Sequence, residues 1–258
     1  MTDDAGMDGE TERRFAGIAR LYGADGLARL RSARIAVIGI GGVGSWAAEA
    51  LARSGVGHLR LVDLDHVAES NINRQVHALE PTLGMAKVAA MAARIAAIDP
   101  TNRVEAVDDF LGPENAEDLV RGCDAVIDAV DQMGAKLALV LSCRRLGVPL
   151  LVCGGAGGKR DPGRIQLADL ARTVQDPLLS RLRARLRREH GYPRDCRRRF
   201  GVDAVFSSEP PTAATAACTP AAGAGLSCAG YGSSVAVTAA FGLQAAGWAM
   251  NRLIAERA

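Results

Sequence analysis

The sequence predicts an α/β fold in which a doubly wound, mostly parallel sheet is followed by a C-terminal α+β extension. Two observations carry this prediction. Short continuous apolar runs, such as residues 125–130, alternate with segments of helical periodicity, which is typical of a parallel sheet covered by helices on both faces. Alanine and glycine are abundant while aromatic residues make up 4% of the chain, and this composition suits helices packed closely on a sheet.

The predicted elements follow a regular order up to residue 153. A helix over 14–31, broken between Gly23 and Gly26, comes first. Strands are then predicted at 34–39, 59–64, 103–108, 124–130 and 148–153, and helices at 44–54, at 85–98, from Pro113 and at 134–146. This alternation makes the sheet Rossmann-like, and ligands of that architecture bind beyond the carboxyl ends of the strands.

The pattern changes after Gly158. We expect a strand at 164–168, a basic helix at 176–190, a strand at 202–207, a segment without clear periodicity at 210–230 and a final helix at 232–256. The chain is therefore divided into a disordered leader (1–13), a Rossmann-like domain (14–158) and a C-terminal portion of the same globular unit (159–258).

Composition excludes several classes of protein. The six cysteines form no CxxC pair, so neither a disulfide framework nor a structural zinc site is expected. The N-terminus is acidic and polar without an apolar signal core, which indicates a cytoplasmic protein. Residues 233–250 are uncharged and long enough to span a bilayer. Their alanine-type composition favours a core or subunit-interface helix, and membrane association stays open as the weaker alternative.

A glycine-rich turn joins the first predicted strand to the next helix. Gly39, Gly41 and Gly44 fit a GxGxxG pattern that also includes Gly42. Glycines let the backbone approach a phosphate, and the N–H groups at the start of the helix attract it. Asp63, at the end of the second strand, can accept hydrogen bonds from both hydroxyls of a ribose. These residues alone fit an NAD enzyme as well as an ATP enzyme.

Polar residues after the second strand separate these two alternatives. Asn71, Arg74 and Lys87 follow Asp65, and a triphosphate carries several charges for such a guanidinium and ammonium to neutralise. An NAD enzyme has no evident need of them. Asp131, at the end of the fourth strand, is suited to hold Mg²⁺ across phosphate oxygens. The alternative interpretation is a surface ion-pair network among the same acidic and basic residues.

Together these motifs resemble the ubiquitin-activating-type adenylyltransferases, which include the enzymes that adenylate sulfur-carrier proteins for molybdopterin and thiamine synthesis. The motifs that carry the resemblance are Gly39-x-Gly-Gly-Val-Gly-Ser, Asp63-x-Asp, Ser70-Asn-x-Asn-Arg-Gln75, Lys87 and Asp128-Ala-Val-Asp131. The resemblance implies a homodimer that binds ATP and Mg²⁺. It also implies that a carboxylate attacks the α-phosphate, which gives an acyl-adenylate and pyrophosphate.

The resemblance assigns catalytic roles to Arg74, Lys87 and Asp131, with Asp131 as the Mg²⁺ ligand. It makes 14–158 the ATP-binding adenylation domain and 159–258 the portion for substrate and dimer contacts. An N-terminal arginine of the partner subunit would reach the γ-phosphate, for which Arg14 and Arg20 are the candidates. The expected nucleotide-binding set is Gly39, Gly41, Gly42, Gly44, Asp63, Asp65, Asn71, Arg74, Lys87, Asp131 and Arg20.

Two departures bear on the branch of this superfamily. The chain lacks the paired CxxC motifs that usually hold zinc in the sulfur-carrier adenylyltransferases. It also carries nine arginines within residues 181–199, opposed only by Glu189 and Asp195. Arginine suits bidentate contacts with phosphate, so we interpret the cluster as an RNA surface, with a solvated helix face as the alternative. The predicted RNA contacts are Arg181, Arg183, Arg187, Arg197, Arg198 and Arg199.

Further motifs resemble the tRNA threonylcarbamoyladenosine dehydratase family, over nearly all of the chain after residue 13. They are Arg14-Phe-x-Gly-x-x-Arg20-Leu-Tyr-Gly23, Gly154-Gly-Ala-Gly-Gly158, Gln175-Asp-Pro-Leu178, Gly201-Val-Asp203 and Val205-Phe-Ser-Ser-Glu209. The resemblance implies an ATP-dependent enzyme that adenylates the carboxylate of threonylcarbamoyladenosine in tRNA. Ring closure then releases AMP, after pyrophosphate has left in the first step.

Other functions stay open at this point. The nearest is an adenylyltransferase for the C-terminus of a small sulfur-carrier or ubiquitin-like protein. An NAD-dependent oxidoreductase would rest on the glycine turn and Asp63 alone, and a non-enzymatic tRNA-binding module is the last alternative. The expected cofactors are ATP and Mg²⁺, without zinc, and a monovalent cation at residues 154–158 is left open. Cys228 is either a packed structural cysteine or a thiol that contacts a sulfur-transfer protein.

Overall fold

The computed structural model describes residues 9–195, 197–212 and 231–255. Within these ranges, strands and helices alternate in the predicted order. The strands are β1 (Arg34–Ile38), β2 (His58–Val62), β3 (Arg103–Val107), β4 (Ala125–Asp128), β5 (Leu150–Cys153), β6 (Ile165–Asp169) and β7 (Asp203–Ser207). The helices are α1 (Gly9–Ser32), α2 (Gly44–Arg53), α3 (Lys87–Ile98), α4 (Ala116–Val120), α5 (Met133–Leu146), α6 (Pro177–Glu189) and α7 (Val235–Ala255).

All of these strands belong to one sheet, in the order β3-β2-β1-β4-β5-β7-β6. Neighbouring strands are parallel, except that β6 runs antiparallel to β7 at one edge. The strand order reverses beside β1, so the carboxyl ends of β1 and β4 flank the crevice in which such sheets bind ligands. The predicted fold class, an α/β protein with a doubly wound and mostly parallel sheet, is confirmed.

Helices cover both faces of the sheet because each strand alternates its side chains between two cores. In β1, Ile35 and Val37 enter a core shared with α2, α3 and α7. Ala36 and Ile38 enter the opposite core, which is shared with α4, α5 and α6. A strand that is buried on both faces reads as a continuous apolar run in the sequence, which is the pattern that predicted the sheet.

The last helix is an element of the first of these cores. Phe241, Ala245 and Ala246 of α7 are fully buried. Gly242 lies so close to α2 that a Cβ atom there would be 2.5 Å from the carbonyl oxygen of Val43. In the part of the chain that the structure describes, none of the helices combines the length and the hydropathy of a membrane span. One face of the uncharged segment thus packs inside the protein, in agreement with its alanine-type composition.

Most element boundaries lie within three residues of the predicted ones, and two of the differences have local reasons. β4 ends at Asp128 rather than at residue 130, because the Asp128 carboxylate accepts a hydrogen bond from the Val130 N–H group (3.1 Å) and turns the chain. α4 begins at Ala116 rather than near residue 113. The residues before it form a turn in which the Asn115 side chain accepts a hydrogen bond from the Gly112 N–H group (2.9 Å).

The prediction of a disordered leader was wrong for residues 9–13. α1 begins at Gly9 and includes them, since their Glu and Arg content favours a helix. The predicted break in this helix is present at Gly23, where φ is 80°, a conformation that glycine adopts without steric cost. Residues 1–8, the segment 213–230, Cys196 and, within that segment, Cys218 and Cys228 lie outside the described residues, and so do both interpretations of Cys228.

Candidate active site

The glycine turn between β1 and α2 is shaped by two close backbone contacts. Gly39 has a φ of 89°, and a Cβ atom there would be 2.9 Å from the carbonyl group of Ala129. A Cβ atom on Gly44 would be only 1.8 Å from the carbonyl oxygen of Gly39. Both positions therefore require glycine. Gly41 differs, because no described atom other than those of Gly41 and its two chain neighbours lies within 4 Å of its Cβ position. This leaves room for a ligand.

The helix that follows this turn presents backbone donors at the same place. α2 begins at Gly44, and the apolar side chain of Val43 before it makes no capping hydrogen bond. The first N–H groups of a helix have no acceptor within the helix and carry a partial positive charge. The first turn also contains no acidic residue. The Ser45 N–H group bonds to the Gly41 carbonyl group (3.1 Å). The open space at Gly41 and the partial positive charge of this helix end suit a phosphate group.

Asp63 holds the glycine turn from the neighbouring strand. One of its carboxylate oxygens accepts a hydrogen bond from the Ile40 N–H group (2.6 Å), and the other accepts one from the Asp65 N–H group (2.9 Å). Burial raises the pKa of Asp63, while the charge of Lys87 and these two hydrogen bonds oppose the rise. The predicted ribose acceptor therefore also fixes the backbone of the turn, and its oxygens retain lone pairs for further bonds.

Lys87 begins α3, and its ammonium lies between two carboxylates. Its Nζ atom is 2.6 Å from Asp65 Oδ2 and 3.9 Å from Asp63 Oδ1. The alternative interpretation, an ion-pair network, is thus realised in part. It is not a surface network, because the Lys87 side chain is 7% exposed whereas that of Asp65 is 74% exposed. A buried ammonium whose main partner is solvated can exchange that partner for a phosphate oxygen.

The segment after β2 places Arg74 against the glycine turn. The Arg74 Cγ atom is 3.2 Å from the Cβ position of Gly42, and its guanidinium donates a hydrogen bond to the Ser70 carbonyl group (2.6 Å). Asn71 is buried, and its Oδ1 atom accepts a hydrogen bond from the Ala68 N–H group (3.1 Å). The Asn71 oxygen therefore shapes the turn that carries Arg74.

Asp131 follows β4 through a turn that a buried ion pair holds in place. Asp128 Oδ2 is 2.8 Å from Lys136 Nζ, and both side chains are 0% exposed. Burial raises the pKa of Asp128, and the Lys136 charge opposes the rise. The other Asp128 oxygen is the one bonded to Val130. Lys136 was not among the predicted site residues. Its one signal in the sequence is that it is a lysine among the apolar residues of a predicted helix.

The surroundings of Asp131 are compatible with the expected Mg²⁺ ion. Among the described residues, no group of three or more His, Cys, Asp and Glu side chains is placed to hold a metal ion. Mg²⁺, however, keeps several water ligands and binds one or two carboxylates together with substrate phosphates. Asp128 is committed to Lys136, so the half-buried Asp131 is the carboxylate at the end of β4 that fits this role.

A buried histidine within range of the Lys87 charge was not predicted. His77 is 1% exposed, and neither of its ring nitrogens has a hydrogen-bond partner among the described residues. The Oε1 atom of Gln75 is buried in the same way. Burial, aided by the charges of Lys87 and Arg94, lowers the pKa of His77 to about 4. The imidazole is therefore neutral at neutral pH, and no spacing in the sequence signals it.

Of the two N-terminal candidates, Arg14 stands apart from this site within one chain. Arg14 donates a hydrogen bond to the carbonyl group of Ile98 (3.0 Å), the last residue of α3. Lys87 is the first residue of that 12-residue helix, so about 16 Å separate the two ends. Arg20 is exposed on α1, and its role from a partner subunit stays a prediction.

The arginine cluster extends along α6 from one edge of the sheet to the other. At the carboxyl edge, Asp176 accepts a hydrogen bond from the Gly155 N–H group (2.9 Å) just before α6 begins. At the amino edge, Asp169 accepts one from the Phe200 N–H group (2.9 Å), next to the start of β7. Residues 197–199 therefore lie at the edge opposite the glycine turn.

Two of the six predicted RNA contacts are engaged inside the protein, which corrects that part of the prediction. Arg183 is half-buried and donates a hydrogen bond to the Thr173 hydroxyl group. Arg187 donates one to the Pro193 carbonyl group (3.1 Å), and its guanidinium carbon is 5.2 Å from the centre of the Phe200 ring. These two residues fix α6 and the loop after it. The exposed members of the predicted set are Arg181, Arg197, Arg198 and Arg199.

Comparison with known proteins assigns the chain to a family. The ThiF family profile matches residues 13–254. The chain belongs to the ThiF family. A tRNA threonylcarbamoyladenosine dehydratase of Haemophilus influenzae is 46% identical to it over 250 residues, which cover 95% of each chain. The crystal structure of Escherichia coli tRNA N6-threonylcarbamoyladenosine dehydratase in complex with ATP is 43% identical, covers 98% of each chain and gives a TM-score of 0.88.

The sulfur-carrier branch is less similar to this ThiF chain. A molybdopterin-synthase adenylyltransferase of H. influenzae is 32% identical over 127 residues, which are 49% of this chain and 52% of that protein. The dehydratase similarity is thus both higher and nearly complete along the chain. The predicted membership of the dehydratase family is confirmed, and it is favoured over the carrier-protein alternative.

The glycine turn allows a test with a matched control. We expect Gly44→Ala to lower the free energy of unfolding by about 2–3 kcal/mol, because the added methyl group overlaps the Gly39 carbonyl oxygen. Gly41→Ala should leave the melting temperature unchanged, since its Cβ position is open, and should weaken ATP binding. Thermal melting and ATP titration measure both effects, and equal melting temperatures for the two variants would contradict the overlap.

The buried histidine predicts a pH dependence of stability. The pKa of His77 is about 4 in the folded chain against 6.5 for an ordinary histidine. Between these values the unfolded chain binds a proton that the folded chain does not. The free energy of unfolding therefore falls as the pH decreases from 6.5 to 4, by about 3 kcal/mol from this residue. In denaturant unfolding, the His77→Gln variant should not show this decrease in the free energy of unfolding. If its pH profile matched that of the wild type, the decrease would belong to other groups.

Proposed function

We propose that this chain is an ATP-dependent dehydratase that acts on threonylcarbamoyladenosine in tRNA. The observation that carries the proposal is the 46% identity, over 95% of both chains, to the H. influenzae enzyme of that name. The site supports it, because the glycine turn, Arg74 and Lys87 collect phosphate-binding groups at one edge of the sheet. A structure that is 43% identical contains ATP, which supports ATP over NAD as the nucleotide.

ATP is proposed to bind beyond the carboxyl ends of β1 and β2. Gly41 and the start of α2 would face its phosphates, and Asp63 would accept hydrogen bonds from the ribose hydroxyls. Lys87 would turn from Asp65 towards a phosphate oxygen, since Asp65 is solvated without it. Arg74, which already rests on the glycine turn, would neutralise a second phosphate.

The chemistry requires the threonyl carboxylate to become reactive. One of its oxygens attacks the α-phosphorus of ATP, and pyrophosphate leaves. An atom of the neighbouring carbamoyl group then attacks the activated carbonyl carbon, loses its proton, and AMP leaves as the ring closes. The net change in the base is the loss of one water molecule. Intramolecular closure gains from proximity, while Lys87 and Arg74 stabilise the charge on the α-phosphate during transfer.

Asp131 is proposed to hold Mg²⁺. When bound, the ion would neutralise phosphate charge and help pyrophosphate to leave. The contribution of the chain is to keep the carboxylate in place, which the Asp128–Lys136 pair and the Val130 hydrogen bond do from beneath it.

A homodimer is proposed because one chain leaves Arg20 exposed on α1. Leu21, beside it, is 70% exposed, and Leu243 on α7 is 53% exposed. α1 packs against α7, so both leucines lie on adjoining helices that a second subunit can cover. With tRNA as its substrate, we place the activity in the cytoplasm.

The tRNA is proposed to contact the exposed arginines of the cluster, which are Arg181, Arg197, Arg198 and Arg199. Arg181 lies in the first half of α6 and the other three follow the helix, next to the start of β7. A surface that extends over this length matches an extended polyanion better than a small ligand.

The main test is a mass measurement of the nucleosides. Incubation with ATP, Mg²⁺ and tRNA that carries threonylcarbamoyladenosine should lower the mass of the modified nucleoside by one water molecule and release AMP and pyrophosphate. Lys87→Met and Asp131→Ala should each reduce turnover by at least about 100-fold, because each removes charge stabilisation from the phosphates. Both variants should bind tRNA like the wild type.

Two outcomes would contradict this proposal, and a third would change its mechanism. AMP formation that depends on a carrier protein instead of tRNA would support the adenylyltransferase alternative. Preferential binding of NAD over ATP would support an oxidoreductase. Full turnover by Lys87→Met would remove that residue from the proposed mechanism.

The arginine surface has its own test. Replacing Arg197, Arg198 and Arg199 together by glutamine should weaken tRNA binding and flatten its dependence on salt, by a slope of roughly one for each phosphate that the variant no longer binds. The control replaces three exposed arginines outside the cluster, Arg53, Arg121 and Arg145. It removes the same charge and should change neither quantity. Equal affinity and slope in the first variant would show that the RNA surface lies elsewhere.

A further inference from the structure

Three of the motifs that resemble the dehydratase family, and that have no part in the proposed nucleotide site, meet at one buried lysine. Lys159 directly follows the Gly154-Gly-Ala-Gly-Gly158 motif, and it is 3% exposed. Its ammonium donates a hydrogen bond to the Gln175 carbonyl group (2.9 Å), which begins the second motif. It donates another to the carbonyl group of Glu209, which ends the third. A single cation thus links three segments that are far apart in the sequence.

Two carboxylates tie the same segments together. Asp176, the neighbour of Gln175, accepts hydrogen bonds from the Gly155 and Leu179 N–H groups (both 2.9 Å). The first bond fixes the glycine loop, and the second caps α6. The Glu209 side chain accepts hydrogen bonds from the N–H groups of residues 160 and 161 (both 3.0 Å). The three segments are therefore linked by these two carboxylates as well as by the shared ammonium.

The backbone of Gln175 is in a conformation that is unfavourable for a residue other than glycine. Its φ of 54° is the one positive value found at a non-glycine position among the described residues. Such a conformation costs about 1 kcal/mol or more and persists where the surroundings impose it. The carbonyl group of this residue is the one that accepts the hydrogen bond from Lys159. The ammonium thus binds the strained position itself.

Lys159, the loop 154–158, Gln175, Asp176 and Glu209 are called the Lys159 cluster below. The cluster lies beside the proposed nucleotide site and does not overlap it. β5 pairs with β4 on one side and with β7 on the other, and adjacent strands are about 5 Å apart. The loop after β5 therefore starts next to the turn that carries Asp131. None of the residues of the cluster belongs to the predicted nucleotide-binding set. The cluster therefore borders the proposed nucleotide site on the β5 side.

The choice of lysine at this position is itself informative. The chain contains 31 lysines and arginines, and its lysines are Lys87, Lys136 and Lys159. All three are buried, while the exposed cations are arginines. An ammonium is a compact charge with three donors, whereas a guanidinium is a wide planar fork. A space bounded by carbonyl oxygens of two separate segments suits the compact ion.

We infer that Lys159 is a positioning residue for the tRNA substrate. Its ammonium holds residues 154–158, Gln175 and Glu209 together, and these segments form the wall that supports the threonylcarbamoyl group next to Asp131. This inference rests on the proposed dehydratase function. It predicts that loss of the ammonium disturbs use of the tRNA while the ATP edge, which is held separately by Asp63 and Asp128, keeps its affinity.

The test compares Lys159→Met with the wild type and with Arg160→Met, the exposed neighbour. Turnover of threonylcarbamoyladenosine-containing tRNA, ATP affinity by titration and thermal melting are measured for each protein. We expect kcat/KM for tRNA to fall by at least about tenfold in Lys159→Met, with ATP affinity within about twofold of the wild type. Arg160→Met should match the wild type in all three measurements. Unchanged kcat/KM in Lys159→Met, or a loss of ATP affinity equal to the loss for tRNA, would overturn the inference.

A second variant keeps the test informative if Lys159→Met is unstable. Lys159→Ala leaves a cavity that methylammonium can enter, so added methylammonium should restore a measurable part of the tRNA turnover, while methanol should not. Restoration by both compounds, or by neither in a folded protein, would show that the charge is not what positions the wall. Failure of the wild type to dehydrate tRNA would contradict the proposed function, and that result is separate from any difference among the variants.

Discussion

The contact between the glycine turn and the end of β4 fixes the geometry on which the rest of the site depends. Gly39 touches the carbonyl group of Ala129, and Gly44 touches Gly39, so neither position has room for a side chain. Carboxylates secure this contact from both sides, since Asp63 binds the turn from β2 and Asp128 binds the chain after β4. Three neighbouring strands are therefore held together at their carboxyl ends. This contact determines where the functional side chains lie.

Much of this architecture was predictable, because the relevant signals are local. Strands that are buried on both faces leave continuous apolar runs, and the carboxyl ends of parallel strands meet at one edge. Gly39, Asp63 and Asp131 could therefore be assigned to one edge of the sheet from their places after strand ends alone, and Lys87 from its place at the start of the helix that follows β2. The error at the end of β4 has the same origin. Apolar character continues to Val130, which suggests a longer strand. The Asp128 side chain, however, accepts the hydrogen bond from the Val130 N–H group, so this group is not paired within the sheet.

The rest could not be read from the sequence, because it depends on which side chains meet across the fold. Lys136 pairs with Asp128 inside the protein, and nothing in their spacing distinguishes this pair from a solvated one. The arginine cluster misled in the opposite direction. Arg183 and Arg187 look like surface charges, yet long side chains can cover apolar surface while their polar ends bind the protein. Arg187 does so against Phe200.

The three lysines show how identical ions acquire different tasks from their surroundings. Lys136 is enclosed with a carboxylate that is equally buried, and separating such a pair would leave an uncompensated charge in a region of low polarity. Lys159 is bonded to backbone carbonyl groups that cannot move away without breaking two segments of the fold. Lys87 alone among them faces a partner that water can solvate in its absence, because Asp65 is 74% exposed. Exchange of that partner for a ligand oxygen is therefore inexpensive only at Lys87. The burial of the partner, more than that of the lysine, decides which of the three ammonium groups is available for chemistry and which two are fixed parts of the structure.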